Sequence, residues 1–121
     1  MSYIRKIEAQ IVGESYDNED GTSRQAEIKN FCKPGIPVKL IREPNNKYDK
    51  KAIGVWVRGK GFLSKEHDHQ VGYLNKEQAA EFAPILDAGH TVEAAVKKVV
   101  GGTADKPHYG LIIEIFKTEE K

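Results

Sequence analysis

The residues most able to do chemistry in this sequence lie in one polar loop at residues 40–53. Tyr48 stands there between Lys47 and Lys50, after two asparagines and before an aspartate. A tyrosine ring can stack on a nucleobase while neighbouring ammonium groups neutralise phosphate, and such stacking contributes about 1–3 kcal/mol per base. The pattern therefore favours single-stranded nucleic acid as a ligand.

Turn formation is the alternative explanation of the same residues. Pro44, Asn45 and Asn46 are typical of a turn, because asparagine side chains hydrogen-bond their own backbone and tolerate left-handed angles. The local charge is equally open to two explanations. Residues 33–51 hold six cations and two anions, a net charge of +4 that could bind phosphate or simply form a solvated face. From the residues alone both interpretations stay open.

Composition limits the class of protein. The chain has 121 residues, 39% of them hydrophobic, which predicts a single domain with a core over about residues 7–116. A net charge of +1 argues against a broad surface for duplex DNA. Cys32 is the only cysteine, the N-terminus has no signal-peptide pattern, and no apolar run approaches the roughly 20 residues of a membrane span. We therefore expect a cytoplasmic protein.

Alternation of apolar and polar residues dominates the chain and predicts β-strands. The alternating segments start near Ile7, Val38, Ile53, Val71 and Tyr109. Residues 91–100 fit both the strand and the helix period, but their β-branched residues favour a strand that pairs with the last segment across a turn at 101–107.

A helix interrupts this pattern after the fourth strand. Asn75 can cap it with Gln78 reaching back, and apolar residues then recur at helical spacing at Ala79, Phe82, Ala83 and Leu86. Residues 24–31 could add one or two helical turns. The chain is therefore predicted to be mainly β, a small OB-like or SH3-like barrel of five to six strands with one or two short helices.

Three blocks of the sequence resemble the HIRAN family. The central block is REPNNKYD at residues 42–49, followed by AIGV at 52–55. The second is VGYL at 71–74, leading into EQAA at 77–80, and Gly13 and Tyr16 resemble the opening block. The likeness runs from about Ile7 to Phe116, and its central block is not a generic loop sequence.

The resemblance implies an OB-type barrel. In family members attached to fork-remodelling ATPases, this domain holds the 3′-hydroxyl end of single-stranded DNA. The resemblance therefore also implies a role in DNA repair. Tyr16 and Tyr48 would stack on terminal bases. Asp49 would accept a hydrogen bond from the 3′-hydroxyl. Because a carboxylate repels an internal phosphodiester, it would select the end of a strand over its middle. Contacts to phosphate and backbone are expected from Arg42, Asn45, Asn46, Lys47, Lys50 and Lys76, with Tyr73 at the same site. Arg42 could instead pair with Glu43 or Asp49.

Two positions depart from the family pattern. Ser15 stands where an arginine adjoins the first tyrosine, with Glu14 and Asp17 nearby, and Tyr73 stands where a histidine is found. The loss of a cation beside acidic residues predicts weaker phosphate contact on this side. Strand-end preference should therefore suffer more than single-strand binding itself.

Other functions have less support from the residues. A protein-interaction module that docks a separately encoded ATPase or nuclease fits the near-neutral charge. Catalysis normally requires paired carboxylates or a fuller ligand set, and only Glu43 accompanies Asp49 in the loop, so we expect neither an enzyme nor a cofactor. His67 and His69 flank Asp68 but lack a third ligand at zinc spacing, which does not favour a metal site.

Overall fold

The computed structural model describes residues 2–60 and 66–120. Over these ranges the chain is mainly β, as predicted. Residues 24–31 form a helix of two turns, and the segment that fitted both periods is a strand. The elements in chain order are β1 (Ser2–Gln10), α1 (Arg24–Phe31), β2 (Pro37–Arg42), β3 (Ile53–Lys60), β4 (Glu66–Tyr73), α2 (Lys76–Asp87), β5 (Glu93–Gly101) and β6 (Tyr109–Glu120).

The strands form one antiparallel sheet in the order β1-β6-β5-β2-β3-β4. This sheet curls until its two edges meet just beyond β1. There Val12 and Tyr73 each donate a backbone N–H to the other's carbonyl oxygen, both at 2.9 Å. The result is a partly closed barrel, which confirms the predicted architecture.

The core follows the period-two pattern, since alternate residues of a strand face the same side of a sheet. Ala9 near the end of β1 and Ile11 just after it are buried, and β6 buries Leu111, Ile113 and Ile115. Helix α2 adds Phe82 to the same apolar cluster, with its side chain fully buried. Asn75 caps this helix by accepting from the Gln78 N–H at 2.9 Å, as its sequence predicts. Neither described helix has the length and hydropathy needed to cross a bilayer.

Helix α1 is attached to β4 by an unusual cluster. His69 Nδ1 lies 2.8 Å from Glu27 Oε2, and the His69 ring stacks on Phe31 with centroids 4.2 Å apart. Burial raises the pKa of Glu27, an effect that the nearby His69 partly offsets. Ile28 is fully buried on the same side of the helix. This packing fixes the first residue of the helix, Arg24, against the end of β4.

Candidate nucleic-acid interface

A groove of about 990 Å³ opens beside the seam between β1 and β4. One wall is the loop of residues 43–51, here called the lysine loop. The other is residues 13–24, here called the acidic segment because it contains Glu14, Asp17, Glu19 and Asp20. Tyr73, at the end of β4, forms the floor between them. The lysine loop carries a small net positive charge and the acidic segment a net negative one, although each lines the groove with one cation and one anion: Lys47 and Glu43 on one side, Arg24 and Glu19 on the other.

Each wall presents a tyrosine to solvent. Tyr48 of the lysine loop is 93% exposed, and Tyr16 of the acidic segment is 70% exposed. Both rings line the groove. Large aromatic side chains normally bury most of their surface, so two exposed rings facing one groove provide surfaces on which flat apolar groups can stack.

The lysine loop is held in shape by its own side chains. Asn46 Oδ1 accepts from the backbone N–H groups of Tyr48 at 2.9 Å and Asp49 at 3.1 Å. Asp49 Oδ1 in turn accepts from Lys51 N at 2.9 Å. These are the local turns that asparagine and aspartate favour. The turn thus accounts for the asparagine and aspartate of the loop and leaves the Tyr48 ring exposed to solvent.

Glu43 connects the lysine loop to the floor. Its Oε1 accepts from Asn46 Nδ2 at 3.1 Å and from the Tyr73 hydroxyl at 2.9 Å. Burial, with a smaller contribution from Glu43, raises the pKa of Tyr73, so this hydroxyl remains a donor. Gly54 leaves the space that the carboxylate needs, since a Cβ there would lie 2.8 Å from Glu43 Oε2.

The acidic segment depends on contacts with distant elements. Asn18 Nδ2 donates to the Gln70 carbonyl of β4 at 3.0 Å, and Asn18 Oδ1 accepts from Arg24 Nε at 2.7 Å. Gly13 has φ 71°, in the left-handed region, and its missing side chain leaves room where Tyr16, Arg24 and Tyr73 converge. A Cβ at Gly13 would lie 3.5–4.0 Å from atoms of all three.

The structure brings six of the ten predicted binding residues to the groove and leaves four outside its lining. Those lining it are Tyr16, Asn45, Asn46, Lys47, Tyr48 and Tyr73. Lys50 is exposed elsewhere on the lysine loop, Lys76 is exposed at the start of α2, and Asp49 is half-buried. These three stay predictions as ligand contacts.

Arg42 is the fourth residue outside the lining, and its guanidinium is already occupied. Its Nε and Nη2 donate to the two carboxylate oxygens of Asp87 in α2, at 2.8 and 3.2 Å. Its Nη1 donates to the Ala52 carbonyl at 2.9 Å. The structural partner expected from the sequence was Glu43 or Asp49. The carboxylate that it contacts is Asp87, because β2 packs beside α2.

Sequence reasoning missed Arg24 and the role of Glu43. Arg24 lines the groove with its guanidinium carbon 5.2 Å from the centre of the Tyr73 ring. A signal for its position exists, since Ser23 is a helix N-cap that accepts from Ala26 N at 3.2 Å and so makes Arg24 the first helical residue. The surface that this residue faces depends on how α1 packs, which no local pattern contains.

Of the two histidines flanking Asp68, His69 is packed between α1 and β3, whereas His67 is exposed. The rings of His67 and His69 are 6.4 Å apart and edge-on, and His69 Nε2 lies 3.2 Å from the Gly59 carbonyl oxygen. Among residues 2–60 and 66–120, no group of three or more His, Cys, Asp or Glu side chains is arranged to hold a metal.

Comparison with known proteins identifies the family of this barrel. The model of the HIRAN domain family matches residues 4–109. The chain belongs to the HIRAN domain family. A HIRAN domain is a binding domain with an OB-like fold, which agrees with the six-stranded barrel described above.

Among curated proteins, the helicase-like transcription factor of Oryctolagus cuniculus is 50% identical over 50 residues, 41% of this chain. That match spans only 4% of the length of the relative. Two solved structures share the fold. A protein from Lactobacillus plantarum gives a TM-score of 0.66 at 23% identity, over 99% of this chain and 100% of the other. The HIRAN domain of human HLTF gives 0.63 at 24% identity, over 99% and 81%. Membership of this family supports a nucleic-acid-binding module.

Proposed function

We propose that this protein binds single-stranded DNA in the groove, by stacking bases on Tyr16 and Tyr48, and that it has no catalytic role. The observation that carries the proposal is the exposure of both rings, 70% and 93%, on facing walls of one groove. Base stacking needs a solvent-facing aromatic surface and tolerates any sequence. The lining supplies two such surfaces and a floor of a third tyrosine.

Phosphate contacts are assigned to the lysine loop and the start of α2. Lys47, Lys50 and Lys76 are exposed, and within the described part of the chain none has an ion-pair partner. Each neutralised phosphate releases counterions, so affinity should fall steeply as salt is raised. The nucleic acid would run along this rim, because the acidic segment repels phosphate on the other.

A preference for a free 3′-hydroxyl is assigned to Asp49. Its Oδ1 is used inside the loop, whereas Oδ2 has no hydrogen-bond partner in the described ranges. A carboxylate accepts from a hydroxyl and repels a phosphate, so it would discriminate between a strand end and its middle. Asp49→Asn keeps an oxygen able to cap Lys51 and removes the charge. We expect this variant to lose most of the discrimination between 3′-hydroxyl and 3′-phosphate strands.

The decisive experiment is titration of a fluorescent oligonucleotide against the protein at low and high salt. Tyr48→Ala should lower affinity by about 1–3 kcal/mol with no change in the unfolding midpoint. Ile4→Ala is the matched control, because Ile4 is 66% exposed on β1 and lies outside the groove lining. Equal oligonucleotide affinity of the unmodified protein, Tyr48→Ala and Ile4→Ala would refute stacking on Tyr48.

A protein-interaction module remains the second candidate, favoured by the acidic rim and the net charge of +1. In this version the groove would dock a peptide of a DNA-processing ATPase or nuclease encoded separately. The same titration separates the two, since a peptide dock predicts no oligonucleotide affinity at any salt concentration. With the nucleic-acid-binding function we also propose a cytoplasmic location and a role in DNA repair.

A further inference from the structure

Within the part of the chain that the structure describes, the groove contains a buried cation, Arg24, without a counter-ion. Arg24 is 8% exposed, and no carboxylate among the described residues forms an ion pair with it. Its hydrogen bonds go to neutral acceptors, Asn18 Oδ1 at 2.7 Å and the Gly13 carbonyl at 2.9 Å. Burying a charge without an opposite charge is costly, so buried guanidinium groups are normally paired.

The position of Arg24 explains what could pair with it. The guanidinium lies over the Tyr73 ring, and a Cβ at Gly13 would lie 3.5 Å from its Nη1 and 4.0 Å from the Tyr16 ring. Nε and Nη1 make the two bonds above, and Nη2 makes none within the described ranges. A guanidinium has five N–H donors in a planar fork that matches two oxygens of a phosphate. The unused donors are therefore available to a ligand in the groove.

We infer that Arg24 binds one phosphate of the nucleic acid at a fixed place in the groove, an inference that rests on the proposed function. This contact differs from those of the lysine loop. The lysines are exposed, so salt screens them and they can follow any phosphate of a mobile strand. Arg24 is buried and held by Asn18 and Gly13, so it can meet only the one phosphate that enters between Tyr16 and Tyr73.

The acidic segment makes this assignment more specific. Glu19 lines the groove and Asp20 stands nearby, where two hydrogen bonds from Thr22 lower the pKa of Asp20 and keep it charged. These carboxylates repel phosphates at the outer part of this wall. A strand can therefore reach Arg24 with one phosphate only, and its neighbours must turn back toward the lysine loop.

The test is a scan of single methylphosphonates, which replace one charged phosphate oxygen with a methyl group. Each position of a short oligonucleotide is substituted in turn, and affinity is measured for the unmodified protein and for Arg24→Gln. With the unmodified protein, we expect substitution at one position to lower the affinity about tenfold or more and substitution at the others to lower it much less. Arg24→Gln should bind the parent strand about tenfold more weakly and be insensitive to substitution at that one position.

Two further variants keep the result interpretable. Arg58→Gln is the matched control, because Arg58 pairs with Glu66 and Asp68 outside the groove lining and should leave the scan unchanged. Arg24→Lys retains the charge but lacks the planar guanidinium fork. We therefore expect it to keep only part of the sensitivity to substitution at that position. If Arg24→Gln fails to fold, as thermal unfolding would show, the scan of the unmodified protein and of Arg24→Lys decides the question.

The outcomes are distinct. Two results would overturn the role of Arg24 while leaving single-strand binding intact. In one, methylphosphonate substitution lowers affinity by about the same factor at every position. In the other, the affinity losses from Arg24→Gln and from substitution at the sensitive position are additive. Absence of oligonucleotide binding by the unmodified protein overturns the proposed function and the inference with it. A single sensitive position that disappears in Arg24→Gln supports both.

Discussion

The two walls of the groove are built in different ways. In the lysine loop the hydrogen bonds that shape the backbone join residues two or three positions apart, such as Asn46 to Tyr48 and Asp49 to Lys51. The acidic segment has such short-range bonds too, as from Thr22 to Asp20, but in addition Asn18 donates to the Gln70 carbonyl of β4, 52 positions away. Gln25, next to the segment in α1, bonds to Tyr109 across 84 positions.

This difference predicts two kinds of stability. A turn closed by its own side chains can loosen without disturbing the barrel, whereas a wall tied to β4 and β6 should open only when those strands separate. Local opening and global unfolding are distinguishable in proteins, because they have different free energies and different exchange behaviour. The comparison therefore assigns the stacking ring of Tyr48 to a locally closed turn and that of Tyr16 to the cooperative core.

Cys32, the C-cap of α1, tests whether this helix opens alone. Burial, with a smaller effect of Glu27, raises the pKa of the thiol from 9.0 to about 12. This lowers the thiolate fraction near pH 8 about a thousandfold. We expect alkylation in native buffer to be much slower than in denaturant, because burial and the low thiolate fraction both oppose it. Rapid alkylation of the native protein would show that α1 opens locally and would break the comparison.

The same thiol gives a pH dependence with a defined sign. A pKa that is raised in the folded state means that the protonated thiol stabilises the fold fully below pH 9.0, and that this stabilisation is lost as the pH rises toward about 12. The free energy of unfolding of Cys32→Ala should lack this component.

Gln25→Ala should cause the next largest effect. Gln25 Nε2 donates to the carbonyls of Glu14 and Tyr109, and Gln25 Oε1 accepts from Tyr109 N at 2.7 Å. Loss of this bridge leaves backbone groups unpaired, and we expect the free energy of unfolding to fall by about 2–3 kcal/mol. Urea denaturation measures it, with Gln10→Ala on the exposed face of β1 as control. Equal midpoints for the two variants would contradict a cooperative wall.

Asn46→Ala should have a smaller and more local effect. The variant loses the two caps of the loop and the contact with Glu43, so the unfolding free energy should fall by about 1 kcal/mol. Amide exchange at Tyr48 and Asp49 should accelerate by much more than the roughly fivefold that a loss of about 1 kcal/mol in global stability gives the barrel strands. Asn45→Ala is the control, because Asn45 makes no side-chain hydrogen bond in the described ranges. Equal acceleration in the loop and in β3 would mean that the loop is part of the cooperative unit.

Asp87→Asn should have the smallest effect and sharpens the role of Arg42. Asp87 is exposed, and ion pairs of such residues contribute at most about 1 kcal/mol. We expect the unfolding free energy to change by less than this, and the oligonucleotide affinity and its salt dependence to stay the same. A steeper salt dependence in Asp87→Asn would show that a released Arg42 reaches a phosphate, as the sequence predicted.

The sequence predicted the parts of the molecule that have local causes. Alternation predicted the strands, the Asn75 cap predicted α2, and the asparagines of the lysine loop indicated a turn, although the sequence left open whether that turn also displays Tyr48. It did not predict that Arg42 meets Asp87 or that Arg24 enters the groove, because both contacts depend on how a helix packs against the sheet. The role of Glu43 was missed for the same reason, since its partner Tyr73 lies 30 positions away.

The single bridge between Val12 and Tyr73 has a consequence for association between copies of the protein. In the ranges that the structure describes, the N-terminal part of β4, which lies away from that bridge, remains an unpaired strand edge. Glu66 and Asp68 are charged residues on this part, and Asp68 is already paired with Arg58 and Lys39. A strand added from a second copy would strip water from these groups, so the edge discourages aggregation even though the barrel does not close fully.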